Sequence, residues 1–146
     1  MTLENLLKIQ SLVAYSAQRD DIQRLLMAAA RNLDDAAITA ISDENRFDAA
    51  YKCVMQCAMV SLMAHGYRTS KSKPGHHQTA IQSLPLTVGL DGGTVVVLDG
   101  LRKQRNISDY DGDPISPTLV HECIQQAHAL LAHVRRWLGE HHPEFC

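Results

Sequence analysis

Aromatic residues are scarce: two Phe, four Tyr and one Trp make up 5% of a 146-residue chain. Sheet proteins lean on aromatic and β-branched side chains. Here Ala, Leu, Val and Met supply most of the 45% apolar content, which argues against a sandwich or barrel and for helices. No C-x2-C pair occurs among the four cysteines. Cys53 and Cys57 stand one helical turn apart, which reads as small core residues in a reducing compartment rather than as ligands or a disulfide. No run approaches the roughly 20 apolar residues of a membrane span, and no basic leader precedes an apolar core, so a soluble, unexported, cytoplasmic protein is expected, with no membrane partner. The net charge of −2, with eight histidines outside the count, gives no global basic field of the kind that marks general nucleic-acid binders. Any RNA contact must therefore be local.

At this length one domain is expected, large enough to bury about 68 to 70% of its unfolded surface without a staple. It should span residues 1–140, leaving 141–146 as a frayed tail. Apolar residues recur at helical spacing in four long stretches, which predicts helices over roughly residues 19–41, 45–65, 94–108 and 117–138. Ser42 and Ser116 read as N-caps, Pro117 suits a first helical position, and Gly66 is placed as a C′ glycine. A short helix near Leu3 and another from His76, kinked by Pro85 and ended by Gly89, complete the pattern. Asp91, Gly92 and Gly93 read as a turn, with Thr94 capping the helix that follows. The Val95–Val97 run is β-branched, but a lone strand has nothing to pair with, so helix is the expectation there. The fold class is all-α, an up-and-down bundle of about five helices.

The best candidate for chemistry is Arg102-Lys103-Gln104-Arg105. Arg102 and Arg105 are three apart and share a face neighbouring that of Leu98 and Leu101. Asn106, Asp109, Gly112 and Pro114 follow where a helix should unravel, and cations there also suit the negative end of the helix dipole. Charge runs of this kind are usually solvated faces. Planar guanidinium forks nevertheless suit phosphate oxygens, which makes the pair a candidate phosphate contact. Asp109 is expected to cap or to pair with Arg. A second cationic spot, Arg68, Lys71 and Lys73, falls in a stretch from Tyr67 to Gly75 that reads as a mobile loop. His76 and His77 are a source of imidazole, although a histidine at a helix start more often packs its ring. With His65 they match no familiar metal spacing, so neither metal nor cofactor is expected. Tyr51 and Tyr67 read as core or its edge, and Met55, Met59 and Met63 as core or, if exposed, dimer contacts.

Arg105-Asn106 followed by Tyr110 resembles the signature of the HEPN superfamily, in which four to six positions, the first usually polar, separate an Arg from a His. The resemblance extends through Phe47 to Tyr51, Gly66-Tyr67-Arg68 and Gly75-His76-His77, in the order associated with a bacterial branch, and spans residues 47–110, a little under half of the chain. It implies a helical-bundle homodimer related to ribonuclease toxins of toxin–antitoxin and defence systems, in which Arg and His cleave RNA without metal. Carried over, Arg105 and Tyr110 take the catalytic places. Arg102, Asn106, Asp109, Arg68, His76 and His77 become candidate contacts to RNA or a nucleotide. Tyr110 stands where the His belongs, and a tyrosine with an unperturbed pKa of ≈ 10 is a poor base beside His at ≈ 6.5. Binding with cleavage weakened or lost is the first expectation. The alternative is a noncatalytic helical interaction module holding a protein partner, such as the minimal nucleotidyltransferase that HEPN relatives often accompany.

Overall fold

A computed structural model describes residues 1–146. The chain is all-α apart from one two-stranded sheet. In order come α1 (Leu3–Lys8), β1 (Leu12–Ala14), α2 (Arg19–Ala36), α3 (Asp43–Ala64), β2 (Tyr67–Thr69), α4 (His76–Gln82), α5 (Leu84–Val88), α6 (Gly92–Asp111), α7 (Pro117–His141) and a 3-10 turn (Pro143–Phe145). No helix is long and apolar enough to cross a membrane.

The bundle is organised around α3. From Cys53 to its end every position except Gln56 and Met59 is buried, the signature of a helix covered on all sides. Helices α2 and α7 flank it, and α4, α5 and α6 pack on its remaining faces. A single apolar cluster runs from Leu3 to Leu138. Ser42 starts α3 by accepting a hydrogen bond from Asn45 N at 3.2 Å, and Ser116 does the same for Leu119 N ahead of Pro117 in α7.

Four expectations need correction. Helix α2 stops at Ala36 rather than near residue 41, because Arg46 Nε donates to the Ala36 carbonyl at 2.9 Å and caps the end. The next large apolar residues, Ile38 and Ile41, are exposed, as are Ala37 and Ala40, so there is no core for another turn to reach. Tyr67 begins a strand, not a loop: β2 pairs antiparallel with β1, Val13 opposite Arg68, and Gly66 at φ +85° makes the reversal out of α3. Helix α6 begins at Gly92, two residues before Thr94, because Asp91 Oδ2 accepts from Thr94 N at 3.2 Å; it continues to Asp111, where Gly112 takes a left-handed φ of 72°. Finally, the tail does not fray. Arg19 Nε donates to Cys146 O and Gln23 Nε2 to Phe145 O, both at 2.7 Å, while Phe145 packs against the core.

The Asp91 cap carries a measurable share of stability, since Gly92 and Gly93 are poor helix formers that cannot start α6 unaided. Asp91→Ala should cost about 1 kcal/mol by denaturant titration. An unchanged midpoint would mean that packing alone sets the helix start.

Candidate functional site

Because α6 runs on to Asp111, the Arg102–Asp109 stretch lies on regular helix and its side chains are held at fixed angles. Leu98 and Leu101 anchor the inner face in the core. Arg102, one residue on, has a largely buried side chain whose Nε donates to Asp99 Oδ1 at 2.8 Å, and Lys103 Nζ lies 3.6 Å from the same carboxylate. The hydrogen bond from Arg102, ahead of the cost of burial, holds the Asp99 carboxyl below the usual carboxylate range.

Arg105 points from the same side of α6 towards α3. Its Nε sits 3.4 Å from Asp48 Oδ1 and 3.2 Å from Asp109 Oδ2, and its guanidinium carbon is 5.3 Å from the centre of the Tyr51 ring. Despite those distances, the buried Nε–H is aligned with neither carboxylate well enough to form a hydrogen bond. The contacts are Coulombic, and the guanidinium is held by charge and by the ring face rather than by a closed fork.

Tyr51 connects this cluster to the histidines. Its hydroxyl is 3.3 Å from His77 Nδ1, and the His76 and His77 rings meet edge to face at 4.6 Å. Burial raises the Tyr51 pKa to about 12, against the opposing pull of Arg105 and Arg102, so the hydroxyl keeps its proton. Burial, followed by His76, Arg105 and Arg102, pushes the His77 pKa below its ordinary value. Tyr51 is therefore assigned as donor and His77 Nδ1 as acceptor, which leaves the imidazole proton on Nε2.

This arrangement fixes a pH dependence. The unfolded chain protonates His77 near 6.5, the folded chain only at lower pH; between the two the unfolded state holds more protons, and stability falls as pH is lowered. His77→Gln keeps an acceptor for Tyr51 and removes the titration. Denaturant midpoints at pH 7.5 and 5.5 should move apart less in the variant than in the wild type. Equal pH sensitivity would place the titration elsewhere.

The structure brings together Arg102, Arg105, Asp109 and His77, with His76 behind them. It does not bring in Tyr110, which is 88% exposed and projects about 140° round α6 from Arg105. Asn106 is half-buried beside Arg105. Arg68 lies on β2 with its guanidinium 5.1 Å from the Tyr15 ring centre and lines a separate depression. The residues that sequence reasoning missed are Asp48, Asp99 and Tyr51 as partners of the cations. The i,i+3 spacing of Asp48 and Tyr51 in the Phe47–Tyr51 segment, which puts both on one face of α3, was the available signal. Three cations, Arg102, Lys103 and Arg105, thus face three carboxylates, Asp48, Asp99 and Asp109. No group of three or more His, Cys, Asp or Glu side chains is arranged to hold a metal ion.

Compared with protein-family models, with curated proteins and with solved structures, the chain finds no match in any of the three.

Proposed function

We propose that this chain is an RNA- or nucleotide-binding protein of HEPN type, acting in the cytoplasm, in which the Arg105 fork takes a phosphate and cleavage is weakened or lost. The observation that carries this reading is the convergence of Arg105, Arg102, Tyr51 and His77 from α6, α3 and α4. Asp109 is the carboxylate that a phosphate displaces, since it stands in the last turn of α6 and its side chain is half exposed. Phosphate then gains a guanidinium already oriented by the Tyr51 face, with Arg102 adding charge behind it.

The same geometry speaks against strong cleavage. A general base needs a free lone pair, and the lone pair of His77 Nδ1 is taken by the Tyr51 hydroxyl. Nε2–H can donate a hydrogen bond to phosphate but cannot accept a proton. Tyr110 lies on another face of its own helix, turned away from Arg105. Wild-type protein titrated with labelled single-stranded RNA in chelator should bind saturably and leave no 2′,3′-cyclic phosphate ends. Rapid metal-free cleavage would overturn the proposed loss of chemistry, and absence of binding to RNA and to nucleotides would overturn the site.

One observation favours a protein-interaction role alongside it. The outer face of α6 bears Gly93, Val96, Gly100, Lys103, Ile107 and Tyr110, alternating three and four residues apart. Val96 is 72% and Ile107 40% exposed, and Lys103 is the one charge in the row. An exposed helix face with this composition is built to be covered. We assign it to a second copy of the chain, giving a homodimer. A minimal nucleotidyltransferase is the other partner that the resemblance implies, and co-purification with one in place of a second copy would select it.

A further inference from the structure

Between α2, α3 and β2 lies an open cavity of about 360 Å³, within the size range of small-molecule sites. Leu25, Met59 and Met63 form its apolar floor and Tyr15 lines its wall. Met59 is the exception on α3: it is 40% exposed where the positions on either side of it are buried. A thioether exposed to a depression, in the most buried helix of the fold, presents an apolar surface to whatever enters it.

The rim has a definite charge. Asp21 is the one carboxylate among the lining residues, and it is already engaged: Oδ2 accepts from Gln18 N at 2.9 Å, while Oδ1 pairs with Arg24 at 2.7 Å. Arg68 and Lys71 take part in no ion pair. The Arg68 guanidinium is instead held over the Tyr15 ring, which fixes the cation at the cavity edge. Two unpaired cations, one of them positioned, stand over an aliphatic floor.

From this we infer that the cavity between α2, α3 and β2 binds an amphipathic organic anion, its aliphatic body on Leu25, Met59 and Met63 and its carboxylate or phosphate on Arg68 and Lys71. A nucleobase would call for an open aromatic platform; the one ring in the lining, Tyr15, carries the Arg68 guanidinium, and the floor offers thioether and branched aliphatic groups instead. The site is distinct from the Arg105 cluster: Met59 is three turns further along α3 than Asp48, about 16 Å away along the axis.

The test uses the full chain and decanoate, followed by calorimetry, with anilinonaphthalenesulfonate as a displaceable fluorescent probe. Decanoate is expected to bind one per chain and to displace the probe, with decyl phosphate, the phosphate-headed arm, acting likewise and decanol at least tenfold less effective. Arg68→Glu with Lys71→Glu, both at exposed positions, should weaken decanoate binding at least tenfold while circular dichroism stays unchanged. Lys71→Glu alone, which touches no part of the Arg68–Tyr15 stack, should give a smaller loss in the same direction. Met59→Glu should abolish binding. Equal displacement by decanol, insensitivity to both charge reversals, or no saturable binding would each overturn the proposal. Displacement of the probe by single-stranded RNA but not by decanoate would also overturn it, making the cavity part of a nucleic-acid track.

Discussion

Arg105→Ala is expected to lower affinity for single-stranded RNA at least tenfold, while Tyr110→Phe changes it by less than threefold. A hydrogen bond to a charged group is worth roughly 1.5 to 3 kcal/mol, and each 1.4 kcal/mol is a factor of ten in Kd. The local charge adds to that loss. With the guanidinium gone, Asp48 and Asp109 remain at the edge of the site and repel the phosphate that Arg105 would have held. The slope of log affinity against log salt should fall by about one phosphate contact. Arg105→Lys separates charge from geometry, since it restores a cation without the fork and should recover only part of the affinity. Tyr110→Phe removes one hydroxyl from a ring that is 88% exposed in the single chain and lies outside the cluster, so little should follow. Fluorescence anisotropy at two salt concentrations, with thermal melts as a control for the lost stacking of Arg105 on Tyr51, decides the matter. Affinity that is unmoved in Arg105→Ala would remove the phosphate role.

The long helices were readable because their signals are local. Ser42 and Ser116 cap, Pro117 opens, and apolar stripes at helical spacing reach from end to end of α3 and α7. Helix α6 was readable in kind but not in its start, since Asp91 competes with Thr94 as cap and only the observed hydrogen bond decides between them. The β1–β2 pair was not readable at all. Each strand is three residues long, and the partners stand some fifty residues apart, so neither shows a period of two. The tail was misread because its anchors are Arg19 and Gln23, at the far end of the chain.

The site divides along the same line. The Arg102–Arg105 face and the pairing of Arg105 with Asp109 follow from i,i+3 and i,i+4 spacing, and both are present in the structure. That Arg105 also meets Asp48 and Tyr51, and that Tyr51 then reaches His77, depends on how α3, α4 and α6 pack, which no spacing encodes. The resemblance to the HEPN signature put Tyr110 in the place of that motif's His. On an unbroken helix that place faces outward, away from the Arg105 of the same chain.

The outward position of Tyr110 leads to the second large effect. Val96→Glu with Ile107→Glu is expected to convert a micromolar dimer into a monomer, raising the dissociation constant at least a hundredfold. In an antiparallel pairing of two α6 helices over their whole length, Val96 meets the partner's Ile107, Gly100 meets the partner's Lys103, and Gly93 meets the partner's Tyr110. Large side chains then lie against small ones in every layer but the Val–Ile one, which is the interdigitation that close helix packing needs. Burying a Val or Ile contributes about 1.5 to 3 kcal/mol, and two such pairs lie in each interface, so charges there should be decisive. The total buried area should exceed about 1,000 Å². The register has its own test in a Cys146→Ser background, where the remaining cysteines, Cys53, Cys57 and Cys123, are buried. Val96→Cys mixed with Ile107→Cys should cross-link under mild oxidation, and neither variant should cross-link with itself, because a disulfide needs Cα atoms within about 7 Å. A parallel pairing would reverse that pattern, with each variant linking to its own kind. Sedimentation of the wild type as a monomer at micromolar concentration would leave the outer face of α6 without a second copy to cover it.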